Sequence, residues 1–224
     1  MTRTPLSERV LPQYTRGEDI ANMVTHIIGG AIGIAALVGV LVVSIAHKNV
    51  WGLVSGVWFA FCMIALYTVS SVYHGLRPGY GKKVMQVIDH CTIYLLIVGT
   101  YTPVLLCGVR PQYPVAAWVV FGVEWLLVAF ATTFTAIDHN RYSRLSMVCY
   151  IGMGWCIVLL TRPAIRAIGL EGFLFLLGGG VSYTVGAVLY GLGKRKHPIF
   201  HTIFHVFVDV GSILQAICII GYVI

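Results

Sequence analysis

Residues 51–75 read WGLVSGVWFAFCMIALYTVSSVYHG, with no aspartate, glutamate, lysine or arginine anywhere in the stretch. A bilayer's hydrocarbon core is about 30 Å thick, and an α-helix crosses it in about 20 residues. The stretch is long enough to span and carries no charge that would have to be desolvated. Comparable apolar runs lie at 20–46, 84–108, 113–136, 144–161, 170–192 and 200–224. The expected fold class is therefore all-α, a seven-helix transmembrane bundle over 20–224 preceded by a polar cytoplasmic tail at 1–19. Composition agrees: 58% of residues are hydrophobic and 10% charged, and mean hydropathy is +0.86, which excludes a soluble globular surface.

The first residues carry Arg3, Glu8, Arg9, Arg16, Glu18 and Asp19. They read as a polar tail ahead of an uncleaved first span rather than as a signal peptide. Lysine and arginine counts set the expected orientation. With the N-terminus cytoplasmic, that side holds Arg3, Arg9, Arg16, Arg77, Lys82, Lys83, Arg141, Arg144, Lys194, Arg195 and Lys196, which is 11 of the 15 in the chain. The other side holds Lys48, Arg110, Arg162 and Arg166. N-in and C-out follows, in an integral membrane protein of a bacterial-type inner (plasma) membrane. The net charge of +7 is then mostly positive-inside bias toward anionic lipid head groups, and gives no argument for nucleic acid. Cys62, Cys91, Cys107, Cys149, Cys156 and Cys218 are scattered singly through apolar runs, without a disulfide framework or a paired-cysteine metal motif. Gly178, Gly179 and Gly180 read as close helix packing, and Pro103 and Pro163 as helix kinks or ends.

Against this background the polar residues inside the spans stand out, because ionisable side chains in a bilayer are expensive and mark function. His201 and His205, in HTIFH, are four apart and share a helix face, a spacing that suits two ligands on one metal ion and equally suits interhelical hydrogen bonding. His74 closes the second span on the cytoplasmic side, Asp89 opens the third from that side, and His201 opens the last. Three imidazoles and a carboxylate are thus expected in one layer, matching a His₃ zinc site with an open fourth position. Asp89 is either a fourth ligand or a general base beside the bound water; the alternative is a helix N-terminal acid pairing with Lys82 or Lys83. Ser70, one turn before His74, is a candidate to bind a substrate carbonyl or a supporting group, or else a small packing residue. Glu18, Asn22 and His26 recur every fourth residue at the cytoplasmic end of the first span, where they brace the metal layer or cap a loop.

These groups, in this order, resemble the hemolysin III branch of the progestin and adipoQ receptor (PAQR) family. The matching residues are Glu18, Asn22, Thr25 and His26; then Ser70, Tyr73, His74 and Asp89 with the TYTP of 100–103; and finally His201 and His205. The resemblance implies Zn²⁺ held by His74, His201 and His205, with Asp89 contacting it directly or through water, and Glu18, Asn22, His26 and Tyr73 around them. The chain departs from the family pattern at Gln215, where a histidine is common, and at Asp209, where an apolar residue is more usual. Glu124 and Asp209 are intramembrane acids with no assigned partner.

Two functions follow as expectations. Resemblance to ceramidase-like relatives implies hydrolysis of a lipid amide or ester by zinc-activated water, with membrane lipids as partners and lipid homeostasis as the role. The name hemolysin implies instead a receptor-like or pore-forming bundle with structural zinc. A secreted toxin is physically awkward, since no polar face covers the apolar spans in water.

Overall fold

The computed structural model describes residues 3–193, His197 and 199–224. The elements are α1 (Arg16–Ala46), α2 (Val50–Gly75), α3 (Tyr80–Pro103), α4 (Pro114–Asp138), α5 (Ser143–Gly154), α6 (Thr161–Gly193) and α7 (Ile199–Cys218). Among the described residues there is no strand. Six helical segments among the described residues are long and apolar enough to cross a membrane: Arg16–Ala46, Val50–Gly75, Tyr80–Val109, Pro114–Asp138, Ser143–Gly193 and Ile199–Val223. Lys194, Arg195 and Lys196, part of the cytoplasmic charge count, lie outside the described residues.

Local chemistry sets the helix ends. Thr15 and Glu18 form a reciprocal capping box that starts α1 at Arg16, ahead of the expected position 20. The Asn49 side chain accepts from Gly52 N at 2.8 Å and opens α2. Pro114 occupies the first turn of α4, where its missing N–H leaves no bond unmade. Pro103 does not end its helix; the chain widens into a π-helical turn at Val104–Val109. The two spans expected at 144–161 and 170–192 fall within one helical stretch, Ser143–Gly193, joined by a 3₁₀ segment at Cys156–Leu160 and bent at Gly169, whose φ is 74°.

The bundle has inverted polarity. Leu126 and Leu159 are 72% and 78% exposed, whereas Asp89, Glu124, His74, Lys82 and Gln215 are buried. Apolar side chains outward and polar ones inward is the arrangement a lipid solvent selects. Helix α1 packs on α2 and α7, α2 on α3, α3 on α4, and α6 on α7. Gly29 permits the α1–α2 approach, since a Cβ there would overlap the Tyr67 ring. The start of α1, the end of α2 and the start of α7 meet at one end of the bundle. The tail packs on that end: Thr4 N donates to Asp138 Oδ2 at 3.1 Å, Lys83 Nζ donates to the Ser7 carbonyl, and Arg9 is buried.

Candidate metal centre

Helix periodicity delivers the ligands. His201 and His205 lie one turn apart on the buried stripe of α7 that continues through Val208, Ser212 and Gln215. His74 occupies the last turn of α2 and faces them. His201 Nε2 is 3.2 Å from His74 Nε2 and 3.0 Å from His205 Nε2. The ligand atoms of all three lie within 4.8 Å of one another, and all three residues are buried. A tetrahedral ion with metal–nitrogen bonds of about 2.0–2.1 Å separates its nitrogens by about 3.3–3.4 Å, close to the two short contacts.

The far side of each ring decides which nitrogen is bare. His74 Nδ1 is 3.2 Å from Asp19 Oδ1, and a carboxylate only accepts, so this nitrogen carries the hydrogen and Nε2 presents a lone pair. His205 Nδ1 is 3.2 Å from the Asn22 carbonyl oxygen and 3.2 Å from Thr25 Oγ1, whose own hydrogen goes to the carbonyls of Ala21 or Asn22. His205 Nε2 is therefore also bare. Two lone pairs point at His201 Nε2, which has at most one hydrogen to offer. A shared cation satisfies all three nitrogens, and this is the observation on which the residues fit a metal. His201 Nδ1 has no hydrogen-bond partner; its ring instead sits among Tyr14, Tyr190 and Phe204, with centroids at 5.4, 5.2 and 6.2 Å.

Asp19 was not among the residues singled out from sequence, yet it is the carboxylate behind a candidate ligand. Its second oxygen accepts from Lys82 Nζ at 2.7 Å, so Lys82 orients the acid that orients His74. Glu18 is spent on the capping box with Thr15 instead. The signal was present: Thr15-Arg-Gly-Glu18 has capping-box spacing, and Asp19, Asn22 and His26 also share a helix face. Asn22 is fully buried and accepts from Thr202 at 2.6 Å. His26 stacks on His205 with centroids 3.6 Å apart, and both of its nitrogens lack partners. The Tyr73 ring lies 4.6 Å from that of His74 and beneath Lys82 Nζ. Tyr14, brought in by the tail, covers His74 and His201; burial pushes its phenol well above the ordinary range, so it stays neutral.

Asp89 is buried on α3 but does not join the close group of three ligand atoms. It lines, with Ser70, His26, His201 and His205, a cavity of about 180 Å³ that runs between α3, α5, α6 and α7. Ser70 is buried, and its hydroxyl interacts with the Asp89 carboxylate. His90 and His139, also overlooked in the sequence, line the same cavity with their rings tilted against each other, centroids 3.8 Å apart. Lys82 pairs with Asp19, and Lys83 bonds to Ser7, so neither hydrogen-bonds to Asp89. Glu124 is fully buried on α4 and interacts with the Cys156 thiol. Asp209, one turn beyond His205, lies beside Gly29 and interacts with the Tyr67 hydroxyl.

Fold and site together define an integral membrane protein whose buried histidine cluster can hold a metal ion. A family model, haemolysin-III related, matches residues 14–216. The chain belongs to the haemolysin-III related family. It is 34% identical over 207 residues to Hemolysin-3 of Bacillus cereus, covering 92% of each chain. It is 33% identical over 209 residues to the Hemolysin-3 homolog of Bacillus subtilis (strain 168), covering 93% of this chain and 96% of the relative. The Homo sapiens monocyte to macrophage differentiation factor is 26% identical over 98% of this chain and 90% of its own. No solved structure matches.

Proposed function

We propose that the protein is a zinc-dependent hydrolase of lipid amide or ester bonds, acting on membrane lipids in membrane lipid homeostasis. The observation that carries this reading is the convergence of three Nε2 atoms, with His201 and His205 also lining a cavity that holds Asp89 and Ser70. Three imidazoles without a thiolate are a ligand set of catalytic zinc. Lewis acidity toward a carbonyl, and a water acidic enough to attack it near neutral pH, are what such an ion supplies when bound. His74, His201 and His205 hold it, while Asp19 and the Asn22 carbonyl fix the two tautomers. Asp89, outside the ligand group, takes the proton of the attacking water and returns it to the leaving amine or alcohol. The Ser70 hydroxyl, beside Asp89 on the same cavity, hydrogen-bonds the substrate carbonyl. Ile93, Leu96, Ile97, Met147 and Phe204 in the cavity wall accept an acyl chain and exclude bulk water.

The same reading has seven crossings, N-in and C-out, in a plasma membrane of bacterial type. Its support is the 11-to-4 division of lysine and arginine and the bend at Gly169, which divides the 51-residue stretch. Ser143 lines the cavity at the histidine end, and Gly193 lies against Phe200 beside His201. Gly172, next to the bend, packs on Tyr222 at the far end.

A second reading, zinc as a brace in a receptor-like or pore-forming bundle, is favoured by one observation. The cluster ties α2 and α7 together, and through Asp19 and Asn22 also α1. Incubating the purified protein with membrane lipids and reading them by mass spectrometry separates the two. Zinc-dependent products from wild type, lost in Asp89→Asn while metal is retained, support the hydrolase. Identical lipid profiles with and without zinc, accompanied only by a change in bundle stability, establish the brace.

A further inference from the structure

The cavity does not stop at the histidines. It follows the buried face of α7 down to Gln215, ten residues beyond His205 and thus about 15 Å deeper along an uninterrupted helix. At that depth the walls are apolar apart from a few groups, and every donor among them is used within the protein. Thr100 donates to the Leu96 carbonyl, Tyr101 to the Gly154 carbonyl, and Trp155 Nε1 to Thr184. Gln215 Nε2 donates to the Leu176 carbonyl at 3.1 Å, which fixes the amide so that Oε1 is the free end. That oxygen has no partner, although the residue is only 4% exposed and lines the cavity. Gly179 makes the room for this side chain, since a Cβ there would collide with the Gln215 amide.

A buried acceptor left without a donor is unfavourable, and a donor carried in by a ligand filling the cavity would satisfy it. We infer that Gln215 forms a second polar subsite, one that selects an apolar chain bearing a hydrogen-bond donor, a hydroxylated acyl chain, at a fixed distance from the metal end. The inference rests on the acyl-chain reading of the cavity and adds to it a preference within that substrate class.

The test is equilibrium binding to the purified full chain of palmitic acid and of a series of hydroxypalmitic acids with the hydroxyl moved along the chain. One hydroxyl position in the distal part should bind about fivefold to tenfold tighter than palmitic acid, the worth of one net hydrogen bond. Gln215→Leu and Gln215→Met should keep palmitic acid binding and abolish the preference. Palmitic acid binding with no favoured hydroxyl position in wild type overturns the subsite alone, as does a preference that survives both substitutions. Failure of every chain to bind wild type overturns the acyl-chain reading and the subsite with it.

Discussion

Asp19 holds His74 through one oxygen and Lys82 through the other, so the tautomer of a proposed ligand depends on a residue outside the ligand set. Asp19→Asn should lower zinc affinity about 10-fold to 100-fold, the usual effect of losing an orienting carboxylate, as read by competition with a chelator. Asn22→Ala should cost much less affinity, because His205 is held by the Asn22 main-chain carbonyl, which the substitution leaves in place. Equal losses in the two variants would contradict this division of labour. The histidines were legible because polar residues in apolar runs announce themselves, and i, i+4 spacing needs no knowledge of tertiary structure. Asp19 was not, because Glu18 and Asp19 are adjacent acids and only the capping bond of Glu18 with Thr15 tells which one turns inward. Tyr14 depends wholly on how the tail folds back, which no local pattern encodes.

Helix α6 is bent where Gly169 adopts a φ of 74° and a ψ of 167°, a conformation essentially confined to glycine and costing a residue with a Cβ about 1–3 kcal/mol. No atom crowds that position, so Gly169→Ala should lower the unfolding temperature in detergent through backbone strain alone and leave metal binding intact. Gly29→Ala has a different cause, collision with the Tyr67 ring between α1 and α2. It should destabilise by about 1–3 kcal/mol, as overpacking does, and also weaken metal binding, because Asn22 and His26 ride on α1. Thermal shift with metal titration separates the two; an unchanged melting point for either would remove its stated cause. The span 51–75 was readable almost to the residue as Val50–Gly75 because a loop bounds it at each end. The region around 161–170 was not. Arg162, Pro163 and Arg166 read as a break, whereas Pro163 is tolerated in the first turn of α6 and the chain turns later, at a single glycine.

At the scale of the whole molecule, bilayer physics made the all-helical class legible from composition, whereas pairing among the helices came only from structure. A reporter fused after Ile224 should behave as extracytoplasmic, given the 11-to-4 charge division and an odd number of crossings; a cytoplasmic signal would remove either the count or the orientation. The histidine cluster joins chain segments more than a hundred residues apart, and its lone pairs are what a cation would bring together. Metal analysis of the purified protein therefore tests the account most directly. About one zinc per chain is expected in wild type, with most of it lost from each of His74→Ala, His201→Ala and His205→Ala, since removing any ligand breaks the three-histidine geometry. Full zinc retention in all three variants, or folded wild-type protein that takes up no zinc, would contradict it.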